Sequence, residues 1–217
     1  MFKRICRIEL GLLKSTTKIY CFILNKIDLL NAELLFFPDF WENDEATFLF
    51  DLLKKELDWQ QSAIKIFGKN VHEPRLTAWY GDEGKIYTYS GKTQIPNAWH
   101  TILLSIKNKI EKHSGRSEIF NSVLCNFYRD GKDSMGWHSD DEKELGINPM
   151  IASVNFGETR RFLLRHKKDK TLKHELSLTH GSLLLMFGTM QHFWQHAIPK
   201  EPKKNQPRIN LTFRKII

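Results

Sequence analysis

The sequence predicts a mainly β domain, an antiparallel sandwich or barrel with helices packed on one side. The first observation is a series of short apolar runs after residue 117, each bounded by turn-forming or charged residues. The second is that two amphipathic helical patterns precede these runs. The strand-like runs cover residues 122–128, 150–156, 161–166, 172–178, 182–187, 193–198 and 208–216.

Both helical patterns carry one apolar stripe, as a helix that packs on a sheet requires. Residues 43–58 place Leu49, Leu53 and Leu57 four apart and have acidic residues in the first turn, which favours a helix N-terminus there. The second pattern covers residues 97–112. Its stripe consists of Trp99, Ile102, Leu103, Ile106 and Ile110. We expect the two helices to support one face of the sheet.

Length and composition fit one globular domain with a short extension. The chain has 217 residues, of which 41% are apolar and 27% charged. No apolar run approaches the roughly 18 residues needed to cross a membrane, so we expect no membrane association. We expect residues 1–30 to be an N-terminal extension of unknown role and residues 31–217 to form a single domain.

Cysteine usage and the N-terminus indicate a reducing compartment. Cys6, Cys21 and Cys125 are odd in number and share no close spacing, which argues against a disulfide scaffold or a zinc knuckle. The N-terminal segment lacks an apolar core followed by a small-residue cleavage site, so we predict no secretory signal. We expect a cytoplasmic protein if the source is bacterial and a nuclear one if it is eukaryotic.

Charge is distributed unevenly along the chain, whose formal net charge is +8. Residues 160–217 hold 13 Lys or Arg against 3 Asp or Glu, whereas residues 31–159 hold 14 against 20. A basic C-terminal quarter can bind a polyanion such as nucleic acid. On charge alone, a solvated lysine face explains the pattern equally well.

The stretch "GWHSDDE" at residues 136–142 contains half of a possible metal site. If this segment is extended, His138 and Asp140 leave the same face of the strand. One imidazole and one carboxylate, joined by a second imidazole, form the ligand set of non-haem Fe(II) oxygenases, which keep coordination positions open. The pattern His-x-Asp is common, and an exposed polar turn is its usual explanation.

The third ligand has to come from elsewhere in the chain. His196 lies in "FWQHAIP", an aromatic strand-like run, and His192 lies four residues before it. In a strand both histidines lie on one face, so spacing does not choose between them. The stretch "HFWQH", which contains both histidines, is similar to the helix motif of zinc proteases but lacks the glutamate that this motif needs as general base.

The last strand-like run, "PRINLTFRKI" at residues 207–216, alternates cleanly. Ile209, Leu211, Phe213 and Lys215 fall on one face, and the other carries Arg208, Asn210, Thr212 and Arg214. Because planar guanidinium groups bind carboxylates, the two arginines are suited to a dicarboxylate such as 2-oxoglutarate. In "NFYRD", Asn126 and Tyr128 also share a face and can donate hydrogen bonds to the same ligand. A surface ladder of polar residues is the alternative.

These motifs together resemble the AlkB family of Fe(II)/2-oxoglutarate-dependent nucleic-acid dealkylases, in particular the branch of the eukaryotic DNA-repair homologues. The resemblance covers about residues 35–217 and leaves residues 1–30 outside. The motifs that carry it, in chain order, are "IFGKNVHEPRLTAWYGDEGKIYTYSG", "NFYRDGKDSMGWHSDDE", "IASVNFGETRRFLLRHK", "HGSLLLMFG", "WQHAIP" and "PRINLTFRKI".

The resemblance implies a double-stranded β-helix, or jelly roll, of the 2-oxoglutarate oxygenase type. Residues 31–217 would be the catalytic domain, with a nucleotide-recognition lid at about residues 62–95. His138, Asp140 and His196 would bind Fe(II), with 2-oxoglutarate and O₂ as co-substrates. The 2-oxoglutarate site would be lined by Asn126, Tyr128, Arg208, Asn210, Thr212 and Arg214. Within it, Arg208 would lie near the C1 carboxylate and Asp140, and Arg214 would pair with the distal carboxylate.

The resemblance also implies how a damaged base is held. Tyr87 and Tyr89 would form the lid over a flipped base, and Asp141 and Glu142 would contact that base or the neighbouring backbone. Phe67 would fill the gap left by the extracted base, with Gly68 and Lys69 at the nearby backbone. A flipped base needs such aromatic stacking, and a nearby anion favours a cationic N-methylated base. The basic segment 160–173 would contact phosphates.

The resemblance therefore implies a DNA-repair demethylase that removes N-alkyl lesions such as 1-methyladenine and 3-methylcytosine and releases formaldehyde, succinate and CO₂. We expect it to act as a monomer on alkylated single- or double-stranded DNA. The same chemistry on RNA or protein, a non-catalytic nucleic-acid-binding module and a zinc hydrolase are alternatives. A zinc hydrolase would explain the two histidines and the aspartate, but it would give Arg208 and Arg214 no function.

Replacing Phe67 with Ala should reduce repair of duplex DNA more than repair of single-stranded DNA, because only a duplex has a gap to fill. The measurement compares turnover of one lesion in the two contexts. Equal losses in both contexts would count against a finger role for Phe67.

Overall fold

Two antiparallel sheets that pack face to face form the body of the protein. The computed structural model describes residues 8–9, 20–21, 25–66, 69–85, 87–89, 92–114 and 119–217, and only the backbone of 8–9, 20–21, 64–66, 69–70, 87–89 and 92–94. The strands are β1 (Ile8–Glu9), β2 (Tyr20–Cys21), β3 (Asn25–Leu29), β4 (Ala32–Phe37), β5 (Ala63–Ile66), β6 (Lys69–His72), β7 (Leu76–Gly81), β8 (Tyr87–Tyr89), β9 (Lys92–Gln94), β10 (Ser122–Tyr128), β11 (Met135–His138), β12 (Ile151–Gly157), β13 (Arg160–His166), β14 (Lys173–Leu178), β15 (Ser182–Phe187), β16 (Trp194–Ile198) and β17 (Arg208–Arg214). The helices are α1 (Asn43–Glu56), α2 (Thr101–Ser114) and α3 (Met190–Phe193), with a 3₁₀ turn at Lys143–Leu145.

The strand order is that of a double-stranded β-helix. The large sheet has the order β3-β4-β15-β12-β17-β10-β7 and the small sheet the order β11-β16-β13-β14. The eight strands from β10 to β17 are thus divided equally between the sheets, and their pairings are antiparallel. The predicted jelly roll with flanking helices is therefore confirmed.

Each face of the large sheet is buried against a different partner. Helices α1 and α2 cover the outer face through an apolar cluster that includes Leu53, Ile106 and Phe213. The inner face meets the small sheet through a second cluster that includes Leu184 and Phe162. Burial of both faces explains why the central strands β12 and β17 are almost continuously buried along their length.

The predicted strand boundaries agree with the structure to within two residues, but the second helix starts later than predicted. It begins at Thr101 rather than at residue 97. Asn97 instead exchanges backbone hydrogen bonds with β7, and the indole of Trp99 donates to Asp82 and stacks on Phe213. The first helix ends at Glu56 rather than at residue 58.

The regions predicted as an extension and a lid both contribute strands. Residues 25–29, within the predicted extension, form β3 at the edge of the large sheet. Within residues 62–95, the hairpins β5–β6 and β8–β9 flank β7, which is the other edge strand of that sheet. Among the described residues, no helix is long and apolar enough to cross a membrane.

Backbone and side-chain hydrogen bonds join the turn after β10 to the loop that leads into β17, and this set of contacts is called the clasp. The Gly131 amide donates to the Lys204 carbonyl at 2.9 Å, and the Glu201 amide donates to the Gly131 carbonyl at 2.7 Å. The buried guanidinium of Arg160 donates to the Glu201 carboxylate at 3.0 Å and to three backbone carbonyls of the two segments. The clasp thereby fixes the start of β17.

Replacing Gly131 with Ala should lower the free energy of unfolding by about 1–3 kcal/mol, the usual cost of forcing extra atoms into a packed site. The new Cβ would collide with the backbone carbonyl of Glu201. Urea denaturation measures the change. Gly136→Ala is the control, because its Cβ would meet no atom within 4 Å; equal losses in the two variants would contradict the clasp.

Candidate active site

A cavity opens between the two sheets, where the inner face of the large sheet changes from apolar to polar. The polar face of β17 and the matching face of β10 form one wall, and the small sheet forms the opposite wall. The residues that line it are Leu124, Asn126, Tyr128, Met135, His138, Asp140, Ser153, Phe162, Leu178, Met186, His196, Ala197, Ile198, Arg208, Asn210, Thr212 and Arg214. The cavity therefore contains all nine residues predicted for the metal and 2-oxoglutarate sites.

Three possible metal ligands meet at one end of this cavity. His138 ends β11 and lies directly opposite His196 of β16, with 4.2 Å between the ring centroids. Asp140 follows two residues after the strand. One ligand atom from each of the three residues lies within 4.8 Å of the others, and no other such group occurs among the described residues.

Hydrogen bonding sets the orientation of the His138 ring. Its Nδ1 lies 2.9 Å from the carbonyl oxygen of Gly136. Because a carbonyl only accepts, Nδ1 is the donor in this contact, and Nε2 is the ring nitrogen that remains for a metal. A metal-binding histidine is usually held in this way, with the ring nitrogen that does not bind the metal donating to a carbonyl or carboxylate oxygen.

The carboxylate of Asp140 is buried, and half of it has no hydrogen-bond partner. Its Oδ1 accepts a hydrogen bond from Arg214 Nη2 at 2.6 Å, and its backbone amide donates to Gln191 Oε1 at 3.0 Å. Its Oδ2 accepts no hydrogen bond and lies 3.7 Å from His196 Nε2. Burial by itself raises the pKa of Asp140, but the positive charge of Arg214 and its hydrogen bond outweigh burial, so the pKa lies below its usual value.

His196 is held in its neutral form. Burial, together with the neighbouring His138, lowers the pKa of His196 to about 3. A neutral imidazole and an ionised carboxylate are the protonation states that a divalent metal requires of its ligands. The donor set and the orphaned Asp140 Oδ2 therefore fit a divalent metal ion.

Arg208 is a buried cation, and part of its hydrogen-bonding capacity is unused. Its side chain is 1% exposed. Its Nη2 donates to Asn155 Oδ1 at 2.5 Å, and its guanidinium lies 4.9 Å from the ring centroid of Tyr128. Its Nε and Nη1 have no hydrogen-bond partner among the described residues. Burial lowers the pKa of Arg208 to about 10, so it stays charged at neutral pH and fits an anionic ligand.

The prediction that Arg208 lies near Asp140 is wrong, because Arg214 occupies that place. The two arginines are six residues apart, or about 20 Å along an extended strand. β17 pairs Arg214 with Ser122 and Arg208 with Tyr128, so they lie at opposite ends of the wall. Alternation predicts the shared face but not which end of the strand meets the loop that carries Asp140.

A row of amides crosses the large sheet between the two arginines. Asn126, Asn210 and Asn155 are neighbours on β10, β17 and β12. Asn210 Nδ2 donates to Ser153 Oγ at 2.8 Å, and Thr212 Oγ1 donates to Asn210 Oδ1 at 3.1 Å. These bonds hold Asn210 and Thr212 to each other and to β12.

The residues predicted to contact the base lie outside the cavity wall or outside the described atoms. Asp141 is half exposed and forms an ion pair with Lys167 at 2.7 Å, and Glu142 follows it at the start of the 3₁₀ turn. Tyr87 and Tyr89 lie on β8 and Lys69 on β6, but their side chains are outside the described set. Phe67 and Gly68 lie outside the described residues altogether.

Sequence analysis did not single out several residues that support the site, although Arg75 and Asn155 lie within the motifs that carry the resemblance. Gln191 accepts from the Asp140 amide, Asn155 accepts from Arg208, and Arg75 donates to Asn126. The only signal at Asn155 is an amide in an otherwise apolar run, "IASVNF". Gln191 precedes the rival histidine, His192, whose Nε2 lies 3.0 Å from Asn148 Oδ1 and outside the cavity.

Comparison with known proteins agrees with this fold and site. The model of the 2OG-Fe(II) oxygenase superfamily matches residues 33–214. The chain is 46% identical over 188 residues to the alpha-ketoglutarate-dependent dioxygenase alkB homolog 3 of Bos taurus, which covers 82% of this chain and 64% of that protein. It is 41% identical over 183 residues to the DNA oxidative demethylase ALKBH2 of Homo sapiens, covering 80% of this chain and 69% of that protein. The chain thus spans about two thirds of the length of these relatives.

A solved structure, that of OsALKBH1, shares the fold. It superposes with a TM-score of 0.59 at 16% identity and covers 87% of this chain and 99% of its own. The resemblance seen in the motifs is confirmed by the match to the family model and by the identity to AlkB homologues over most of the chain. The chain therefore belongs to the 2OG-Fe(II) oxygenase superfamily, among the AlkB homologues.

Proposed function

We propose that the protein is an Fe(II)/2-oxoglutarate-dependent dioxygenase that removes N-alkyl groups from the bases of damaged DNA. The observation that carries the proposal is that one cavity contains both a possible metal site and a site for an anionic ligand. One end holds two imidazoles around an orphaned carboxylate oxygen, and the cavity also holds a buried arginine with unused donors. Relatives named as an alpha-ketoglutarate-dependent dioxygenase and a DNA oxidative demethylase support the assignment.

In this proposal His138, Asp140 and His196 hold the iron. When bound, the iron with 2-oxoglutarate and O₂ supplies the oxidation that places one oxygen atom on the N-alkyl carbon and the other in succinate, with loss of CO₂. When the alkyl group is methyl, its hydroxylated form then leaves as formaldehyde: the C–N bond breaks, the ring nitrogen keeps the bonding pair and the hydroxyl proton is lost. Arg214 keeps Asp140 ionised and fixes its Oδ1, so that Oδ2 is the oxygen available to the metal.

The arginine wall determines how 2-oxoglutarate lies in the cavity. Arg208 has the unused donors and lies away from Asp140, so we assign the distal carboxylate to it. Arg214, at the metal end, lies beside the C1 carboxylate. Asn126, Tyr128, Asn210 and Thr212 supply polar contacts between these ends. Phe162 and Leu178 of the small sheet, together with Met186 of β15, exclude water from the cavity.

The substrate side rests on the sequence resemblance and on charge. We propose that Tyr87, Tyr89 and residues 67–69 of the lid at about residues 62–95 engage the flipped base and the gap, as do Asp141 and Glu142. Lysines of the basic segment 160–173 would contact phosphates, a role that suits DNA and, as the alternative, RNA. We further propose a monomer, cytoplasmic in a bacterium or nuclear in a eukaryote.

Oligonucleotides that contain one 3-methylcytosine or 1-methyladenine test the reaction. The protein should release formaldehyde and succinate in equal amounts and restore the normal base, and omission of 2-oxoglutarate should abolish all three. Mass spectrometry and a coupled formaldehyde assay measure them. Parallel assays with single-stranded DNA, duplex DNA, RNA and a methylated peptide identify the substrate class.

Asp140→Asn is the matched variant, because asparagine still accepts the hydrogen bond from Arg214 but lacks the charge that a metal requires. It should fold and lose more than 99% of turnover, about 3 kcal/mol of transition-state stabilisation. Undiminished conversion of 2-oxoglutarate to succinate by this variant would show that the ligand assignment is wrong.

Metal binding can be measured without turnover. Addition of Mn²⁺ should raise the melting temperature of the wild-type protein, since a ligand at a hundred times its Kd adds about 2.7 kcal/mol to stability. The rise should disappear in His196→Ala and persist in His192→Ala, the rival histidine outside the cavity. A rise that survives in His196→Ala and is lost in His192→Ala would reverse the assignment.

A further inference from the structure

A buried ion pair lies behind the co-substrate wall, outside the eight strands of the jelly roll. Arg75 precedes β7 and is 2% exposed, and Glu73 is 5% exposed. Arg75 Nη2 donates to Glu73 Oε1 at 2.7 Å. Burying two charges costs several kcal/mol per ion before their attraction is counted, so such a pair is poor evidence for stability alone.

The second contact of Arg75 reaches a residue of the cavity. Its Nε donates to Asn126 Oδ1 at 2.8 Å, and Asn126 lines the cavity. An arginine only donates, so the amide end facing it has to be the oxygen. This bond therefore decides which way the Asn126 amide lies and leaves its Nδ2 as the donor for other partners.

We propose that Arg75, held by Glu73, is a positioning residue for 2-oxoglutarate: it fixes the Asn126 amide so that Nδ2 is presented as a donor to the co-substrate. The inference rests on the proposed function, because it takes 2-oxoglutarate as the ligand. Without Arg75 the Asn126 amide is free to turn over and to offer an acceptor to an anionic ligand. The arginine acts through Asn126 and does not itself line the cavity.

Glu73 gives the arrangement its rigidity. Its backbone amide donates to the Ser62 carbonyl at 2.8 Å, next to the β5–β6 hairpin, and the neighbouring Pro74 carbonyl accepts from the Ser134 amide at 3.0 Å. The segment that carries Arg75 is therefore tied on one side to the hairpin region and on the other to the approach to β11. The position of the Asn126 amide thus depends on this segment.

The test measures binding of 2-oxoglutarate by calorimetry, with Mn²⁺ in place of Fe²⁺ so that no turnover occurs. Arg75→Met should raise the Kd about 10-fold, the loss of one charge-assisted hydrogen bond, and no more than Asn126→Ala does. In the Asn126→Ala background, Arg75→Met should have no further effect. Arg75→Lys keeps a cation for Glu73 and so preserves the fold, but one ammonium does not replace the guanidinium fork; it should show the same loss.

Lys107→Met is the control, because Lys107 also pairs with a largely buried carboxylate, Glu111, but on α2 and away from the cavity. It should leave the Kd unchanged. An unchanged Kd in Arg75→Met and Arg75→Lys would overturn the proposal, as would an equal increase with and without Asn126. If the wild-type protein fails to bind 2-oxoglutarate, the proposed function itself fails, which is a separate outcome.

Discussion

Strand β17 lies between β10 and β12 in the large sheet, and its two faces are buried in opposite surroundings. Ile209, Leu211 and Phe213 pack into the cluster under the helices, while the arginines at its ends face the cavity. The apolar face fixes the register, since a shift of one residue would exchange the two faces and bury arginine in the apolar cluster. Placement of the candidate active site therefore depends on the same packing that holds the helices to the sheet.

The charged residues of the cavity do not balance one another, and the charges of the two proposed ligands explain why both bind together. Asp140 contributes one negative charge and Arg208 and Arg214 two positive charges, all nearly excluded from solvent. A divalent metal alone would add two positive charges to a cavity that is already positive. A dicarboxylate alone would make it negative beside the buried Asp140 Oδ2, which accepts no hydrogen bond. Bound together they leave the net charge unchanged, and in surroundings of low polarity each strengthens the binding of the other.

Sequence alone predicted most of the strands and the polar face of the cavity wall, because both follow from alternation, whereas the choice of His196 over His192 came from the family resemblance. The runs that became β10 and β12 to β17 are bounded by turn residues, and inward-facing polar residues on a strand are recognisable one by one. What it could not predict depends on contacts between distant segments. Asp140 meets Arg214 rather than Arg208 because of where the loop after β11 lies. The first residues predicted as helix α2 are extended because β7 offers hydrogen bonds to Asn97.

The proposed contact between Asp141 and a damaged base requires an exchange of partners. Asp141 is paired with Lys167, which also donates to the Gln191 carbonyl and so lies beside the residue that holds the Asp140 amide. Ion pairs this exposed are worth only about 0–1 kcal/mol, so a base that replaces the lysine has little to overcome. A cationic methylated base restores the lost charge interaction, whereas a neutral base does not. Under the proposed function, Lys167 therefore makes the acidic rim selective without making it repel DNA.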